Sequence, residues 1–137
     1  MKIGITASTF DLFHAGHVIM LKEAKEHCDY LICALQTDPS VDRPEKNKPV
    51  QTVYERFVQV NGCKYVDQVI PYESESDLLN LISSIPLQVR ILGVEYKDKD
   101  FTGKQYCIDN GIQIYYNSRG HSFSSTELRN RVAERQK

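Results

Sequence analysis

Two histidines on either side of a glycine, His14 and His17 around Gly16, are the residues of this sequence with the clearest capacity for chemistry. The β-branched run at 2–7 predicts a strand before them, and the composition of 18–26 predicts a helix after them. Free backbone N–H groups and the positive end of a helix dipole attract phosphate at such a junction. Two imidazoles held there could donate hydrogen bonds to a phosphate that gains negative charge. The alternatives are two loop histidines or a helix cap; a metal pair lacks a third ligand at suitable spacing.

Three hydroxyl residues, 124–126, open the last predicted helix and follow Arg119. Ser124 and Glu127 have the spacing of a capping box. Capping alone needs one hydroxyl, so the other two, with Arg119 and the free N–H groups of the helix, predict a second anion site. The alternative interpretation is an N-cap and nothing more.

A lysine-containing loop follows the second predicted strand and carries Lys46 and Lys48, with Arg56 on the next predicted helix. Because the loop leaves the carboxyl end of a central strand, its ammonium groups can fold over a cleft that holds phosphate. A planar guanidinium suits bidentate contact with phosphate. A solvated surface loop is the alternative.

Strand and helix patterns alternate along the whole chain, which predicts right-handed crossovers and a parallel sheet covered on both faces. The predicted strands are 2–7, 29–35, 66–70, 89–92 and 112–116, and the predicted helices are 18–26, 52–63, 76–83, 104–109 and one from 124. The fold class is therefore α/β: a single doubly wound, Rossmann-like domain over 1–137 with a five-stranded parallel sheet. Such sheets bind ligands beyond the carboxyl ends of their strands. The exits of the first, second, fourth and fifth strands should face one cleft.

Thr9-Phe10-Asp11, His14 and Gly16-His17 resemble the T-x-x-H-x-G-H signature of the nucleotidyltransferase superfamily, in particular its cytidylyltransferase branch. The 119–126 segment resembles a second motif of the same superfamily. Ser8 stands where these enzymes usually have Gly, and Gly93-Val-Glu95 stands where they usually have Gly-x-Asp. The resemblance implies in-line attack by a substrate phosphate on the α-phosphorus of a nucleotide, with release of pyrophosphate.

The resemblance also implies roles for individual residues. The catalytic groups would be His14, His17, Lys48 and Arg119. Nucleotide contacts would come from Thr9, Phe10, His14, His17, Gly93, Glu95, Arg119, Ser124, Ser125 and Thr126. Substrate contacts would come from Asp11, Asp38, Lys46, Lys48 and Arg56, with Asp11 acting more as a brace. Mg²⁺ is expected with the triphosphate, and the sequence contains no dedicated protein site for a metal.

The favoured reaction is transfer of CMP from CTP to a small phosphorylated alcohol, glycerol 3-phosphate being the first candidate. The segment 96–106 is longer than in compact glycerol-phosphate enzymes and resembles adenylyltransferases that act on heptose 1-phosphate. Adenylyl transfer to a sugar 1-phosphate is therefore one alternative, and a non-catalytic nucleotide-binding protein is another. Family members commonly form two-fold dimers, so a homodimer is expected. The apolar candidates for its interface are Phe57, Val58 and Tyr65, although such residues are more often part of a core.

Composition sets broader limits. With 137 residues and a net charge of −1, the chain has no overall basic field that would favour nucleic acid or a membrane surface. It contains no apolar run of membrane-spanning length and no signal-peptide pattern. Four dispersed cysteines without a C-x-x-C pair predict reduced thiols. These observations predict a cytoplasmic protein.

Overall fold

Five parallel strands form one sheet in the order β3-β2-β1-β4-β5. The structure is a computed structural model and describes residues 1–118 and 123–136. The strands are β1 (Ile3–Ser8), β2 (Tyr30–Gln36), β3 (Gln68–Tyr72), β4 (Val89–Gly93) and β5 (Gln113–Asn117). The order reverses between β1 and β4, which confirms the predicted doubly wound, five-stranded parallel sheet.

Within the described residues, six α-helices connect or flank the strands. They are α1 (Ala15–Glu26), α2 (Pro39–Asp42), α3 (Val53–Asn61), α4 (Glu75–Ser84), α5 (Lys104–Asp109) and α6 (Ser125–Arg135), with a 3-10 turn at Val94–Tyr96. None of these helices in the described ranges is long and apolar enough to cross a bilayer. The four cysteines, all of which are described, are free thiols as expected.

The core lies in two layers because side chains alternate across the faces of a sheet. On one face, Leu21 of α1 and Val60 of α3 pack with Leu31, Cys33 and Leu35 of β2. On the other face, α4 and α5 cover the sheet through residues that include Ile82 and Cys107. Both faces are therefore covered, as a parallel sheet requires.

Local capping fixes where α3 begins. The Thr52 hydroxyl accepts from the Glu55 N–H at 3.1 Å, and the Glu55 carboxylate accepts from the Thr52 N–H at 2.9 Å. This capping box satisfies two backbone donors that the helix itself leaves unpaired. The prediction of a helix capped by Thr52 and ended by Gly62 is confirmed.

Two local predictions were wrong. The third strand continues through Pro71, which was expected to close it. Since β3 lies at the edge of the sheet, one side of its backbone has no neighbouring strand, and a residue without an N–H is tolerated there. The loop expected from residue 40 begins with the short helix α2, which is capped by Asp38 and has Pro39 in its first turn.

Candidate functional site

A cleft of about 600 Å³ runs along the carboxyl edge of the sheet. Every strand ends at it, through Thr9 after β1, Gln36 of β2, Tyr72 of β3, Gly93 of β4 and Asn117 of β5. The prediction that four strand exits share one cleft is confirmed, and β3 supplies a fifth.

His14 and His17 face this cleft at the N-terminus of α1. The Nδ1 atom of His14 accepts from the Gly16 N–H at 3.0 Å, and the Nδ1 atom of His17 accepts from the His14 N–H at 3.0 Å. An accepting nitrogen carries no proton, so each neutral imidazole has its proton on Nε2. The ring centroids are 4.0 Å apart. The backbone thus fixes both rings in the tautomer that donates through Nε2.

Aromatic packing holds His17 in place. Its ring stacks on Phe13 with centroids 5.2 Å apart and lies 5.8 Å from the ring of Phe10. Phe10 is 0% exposed and belongs to the core, with a positive φ of 51°. Its expected role in nucleotide contact is corrected for the side chain, because a ring buried in the core does not line the cleft and instead supports the histidine loop.

Asp11 ties the histidine loop to the turn before α3. Its Oδ2 accepts from the Val50 N–H at 2.9 Å, and its Oδ1 accepts from the Gln51 N–H at 3.0 Å. The N–H of Leu12 donates back to the Gln51 side chain at 2.8 Å. Arg129 of α6 lies 3.3 Å from the same carboxylate. Asp11 therefore forms the brace that was expected of it.

Arg56 was expected to contact substrate, and its position corrects that expectation. The side chain is 1% exposed and lines neither cleft. Its Nη1 donates to the Thr9 carbonyl at 3.0 Å and to the Gln36 carbonyl at 2.7 Å, while Nε donates to the Gln51 carbonyl at 3.1 Å. Its Nη2 donates to the Thr37 carbonyl. Burial lowers the pKa of Arg56, and the charges of nearby Asp11 and Asp38 oppose this. The guanidinium clamps the ends of β1 and β2 together.

A smaller cleft of about 360 Å³ adjoins the first beside His17. Lys46 lines both clefts, whereas Lys48 and Arg129 line only the smaller one. Both lysines are exposed. The two lysines therefore lie beside the histidine end of the site, and their contact with phosphate or substrate stays a prediction.

Asp38 lies outside the lining of both clefts and caps α2. Its Oδ1 accepts from the Ser40 hydroxyl at 2.6 Å and from the Ser40 N–H at 2.9 Å. The hydroxyl bond from Ser40 does most to hold the pKa of Asp38 below its usual value. Its carboxylate therefore has a structural role at the start of a helix, in contrast to the expected contact with substrate.

The predicted second anion site is described in part. Ser124 caps α6 by accepting from the Glu127 N–H at 3.0 Å, and it lines the main cleft. Ser125 begins the helix, and Thr126 is exposed and lies outside the cleft lining. Arg119 lies outside the described residues. The helix start therefore faces the cleft through Ser124.

The two positions that depart from the family pattern both line the main cleft. The hydroxyl of Ser8 accepts from the Phe10 N–H at 3.3 Å. At the end of β4, the carboxylate of Glu95 lies against Gly93, where a Cβ atom would collide with it. A glycine at 93 is thus required for this placement of Glu95.

Sequence reasoning missed several polar residues of the cleft. Arg43, Glu75, Arg90 and Asn117 all line it, and Arg90 and Asn117 are almost fully buried. A usable signal was present for Arg90, since a charged residue inside a strand buried on both faces needs a special environment. Arg43 carried no comparable signal in its polar loop.

Taken together, a doubly wound parallel sheet and a histidine pair at the N-terminus of its first helix are typical of α/β proteins of the nucleotidyltransferase type. A family model described as cytidylyltransferase-like matches residues 5–131. The chain belongs to this family of nucleotidyltransferases.

Curated relatives include two bifunctional HldE proteins. That of Helicobacter hepaticus is 32% identical over 125 residues, which cover 90% of this chain and 25% of the relative. That of Vibrio cholerae is 34% identical over 128 residues, which cover 93% of this chain and 27% of the relative. The chain therefore spans about a quarter of the length of these relatives.

Solved structures share the fold. A lipopolysaccharide core biosynthesis protein from Thermoplasma volcanium superposes with a TM-score of 0.69 at 23% identity, covering 90% of this chain and 99% of that one. TmcAL from Thermotoga maritima, bound with alpha-thio ATP, superposes with a TM-score of 0.68 at 14% identity, covering 99% of this chain and 51% of that one. At these identities the likeness concerns the fold.

Proposed function

We propose that this chain transfers a nucleotidyl group from a nucleoside triphosphate to the phosphate of a small acceptor. An oxygen of the acceptor phosphate attacks the α-phosphorus in line, the bond to the β-phosphate oxygen breaks, and pyrophosphate leaves. The observation that carries this proposal is the histidine pair, whose Nδ1 atoms both accept backbone N–H groups while the rings face the cleft. Since the acceptor brings the nucleophile, the protein needs only to position the reactants and stabilise charge.

The roles proposed for the histidines follow from where their rings lie, and the role proposed for the start of α6 rests in part on the family resemblance. His14 and His17 donate through Nε2 to the α-phosphoryl oxygens and the leaving oxygen, assisted by Thr9. The N-terminus of α6, with Ser124, Ser125, Thr126 and Arg119, takes the β- and γ-phosphates.

Lys46 and Lys48 lie beside His17 and are proposed to attract the anionic substrates and hold the acceptor phosphate. Gly93 and Glu95 line the cleft at the β4 end and are proposed to contact the nucleoside.

Magnesium is proposed to enter with the triphosphate. Within residues 1–118 and 123–136, no group of three His, Cys, Asp or Glu side chains could hold a metal ion. Mg²⁺ commonly keeps several waters and binds substrate phosphates with few protein ligands. Its charge would then offset that of the phosphates, while the residues of this chain hold the nucleotide in place.

Adenylyl transfer to a sugar 1-phosphate is favoured over cytidylyl transfer to glycerol 3-phosphate. The two curated relatives described above are HldE proteins. The segment 96–106 also resembles that of adenylyltransferases acting on heptose 1-phosphate, and it supplies Tyr96, Phe101 and Thr102 to the cleft. CTP with glycerol 3-phosphate remains the second candidate, on the family resemblance.

The deciding experiment measures pyrophosphate release with ATP or CTP, each paired with heptose 1-phosphate or glycerol 3-phosphate. ATP with heptose 1-phosphate should give the highest kcat/KM. His27→Gln is a matched control for substitutions of the site histidines, because His27 stacks on Tyr115 and does not line either cleft. If the protein binds nucleotide but releases pyrophosphate with none of the four substrate pairs, the enzymatic proposal is contradicted and a non-catalytic nucleotide-binding protein is indicated.

A homodimer is proposed through α3. Two of the expected interface candidates, Phe57 and Tyr65, pack against the core, whereas Val58 is exposed. Tyr54 and Val58 lie one turn apart on this helix and are 76% and 49% exposed. Two exposed apolar side chains side by side form a small patch, and a second copy of this chain is proposed to cover it. Arg56 of the same helix donates to carbonyl groups at the ends of β1 and β2, so the proposed interface lies on a helix that contacts the site.

A further inference from the structure

A buried arginine lies in the half of the cleft farther from the histidines. Arg90 is 3% exposed, and it lines the cleft. Its neighbours Val89 and Ile91 pack in the core layer of α1 and α3, so Arg90 leaves the sheet on the opposite face, under α4 and α5. The histidine end and the Arg90 end of the cleft therefore lie on opposite faces of the sheet.

The Arg90 guanidinium is incompletely paired. Its Nη1 donates to the Thr102 carbonyl at 2.9 Å, and the group lies 5.4 Å from the centre of the Phe101 ring. Its Nε is buried without a hydrogen-bond partner. Among the described residues, no carboxylate forms an ion pair with Arg90. The charge of nearby Glu75 acts on Arg90 without a direct ion pair, so burial of this guanidinium stays costly unless a ligand bonds to it directly.

A second guanidinium faces the same half of the cleft. Arg43 forms an ion pair with Glu75 at 3.2 Å and donates to the Gln36 side chain at 3.4 Å, while its Nε is buried without a partner. Glu75 also accepts from the Thr102 hydroxyl at 3.1 Å. Glu75 thus forms a direct ion pair with Arg43, whereas its charge acts on Arg90 without such a contact.

We propose that Arg43 and Arg90 form a subsite for a second acidic group on the acceptor, a phosphate or a carboxylate remote from the phosphate that reacts. A single phosphate at His14 and His17 leaves Arg90 unpaired, whereas an acceptor that reaches across the sheet edge places an anion at each end. The buried guanidinium gives a charge-assisted hydrogen bond its full strength. This inference rests on the proposed function and extends it: among sugar 1-phosphates, acceptors that carry a second acidic group should bind more tightly than those that carry only the reacting phosphate.

The test compares three ligands that share one ring: glucose 1-phosphate, glucuronic acid 1-phosphate and glucose 1,6-bisphosphate. Their affinities are measured by calorimetry on the full chain saturated with a non-hydrolysable ATP analogue. The uronate or the bisphosphate should bind at least about tenfold more tightly than the monophosphate. If only the uronate binds more tightly than the monophosphate, the second acidic group is a carboxylate. If only the bisphosphate does, the second acidic group is a phosphate.

The variants are Arg90→Gln and Arg43→Gln, with Arg135→Gln at the exposed end of α6 as the matched control. In each site variant the advantage of the second acidic group should disappear, while affinity for the monophosphate stays within about twofold. Circular dichroism and thermal melts establish folding, and Arg43→Gln keeps the test decisive if Arg90→Gln does not fold.

Equal binding of all three ligands, no binding by either doubly acidic ligand, or equal weakening of all three by the variants would overturn the subsite. The last result would assign Arg90 to holding the 101–103 loop. Because the readout is binding, it is independent of turnover: tight binding without pyrophosphate release would contradict the proposed function alone.

Discussion

The backbone N–H of His14 donates to Nδ1 of His17 at 3.0 Å, so one histidine of the site fixes the tautomer of the other. The same bond joins the N-cap of α1 to its third residue, as in a capping box. A structural bond at the helix start thus uses Nδ1 of His17 and leaves the donor function on Nε2. Substitution of His17 can therefore separate its structural hydrogen bond from its role as a donor to the substrate.

His17→Asn should separate these two roles. An asparagine oxygen can still accept from the His14 N–H, but it supplies no donor at the position of Nε2. We expect kcat for nucleotidyl transfer to fall about 100-fold or more, with the KM for the nucleotide within a few-fold, since the lost contact acts in the transition state. His17→Ala should show the same loss of kcat and an added loss of thermal stability. Near-normal pyrophosphate release by both variants would contradict the role of His17.

Lys48→Ala should raise the apparent KM for an anionic substrate, because the ammonium group lines the smaller cleft beside His17. The effect should be largest at low ionic strength, where screening is weakest. Lys22→Ala, on the exposed side of α1, is the matched control. Steady-state kinetics at two salt concentrations measure the KM of both variants. An unchanged KM at low salt would make Lys48 a surface residue.

Arg56→Met should destabilise the protein by about 2–4 kcal/mol, because four carbonyl groups lose a donor that holds β1, β2 and the turn before α3 together. Urea denaturation measures the free energy of unfolding. Turnover should fall as well, since the Thr9 carbonyl anchors the histidine loop. A fully stable variant with only a raised substrate KM would return Arg56 to the substrate-binding role.

Asp67 should make stability depend on acid pH. Burial alone would raise the pKa of Asp67, but hydrogen bonds from Lys25 and from the Leu31 N–H outweigh it and hold the pKa below 3.8. Since the folded pKa is depressed, the stabilisation is fully present above about pH 4 and is lost as pH falls through the folded pKa. Asp67→Asn should therefore be less stable than the wild type at pH 7, with the gap closing at low pH. A gap that does not change with pH would exclude this linkage.

Tyr54→Glu should convert the proposed dimer into a monomer, because a charge at the centre of an apolar contact is not compensated. Light scattering at micromolar concentration measures the mass. Leu79→Glu, at an exposed apolar position on α4, is the control and should leave the mass unchanged. A wild-type protein that is monomeric and fully active would contradict the proposed homodimer.

The sequence by itself determined the features that depend on neighbouring residues. The alternation of strands and helices implied a parallel sheet, and the Thr52–Glu55 and Ser124–Glu127 spacings marked helix starts. The histidine motif was equally local, because its hydrogen bonds join residues two or three positions apart. Interactions between residues this close in the sequence can be predicted from the spacing of residue types.

Only the tertiary structure decided which polar residues reach the cleft. Arg56 and Lys48 looked alike in sequence, yet Arg56 bonds a carbonyl 47 residues away and is buried, whereas Lys48 lines the smaller cleft. Phe10 belongs to the histidine motif but packs in the core, and Arg90, inside a strand, reaches the cleft. The physical reason is that burial and pairing of a long side chain depend on elements distant in the chain, and local spacing does not specify their meeting point.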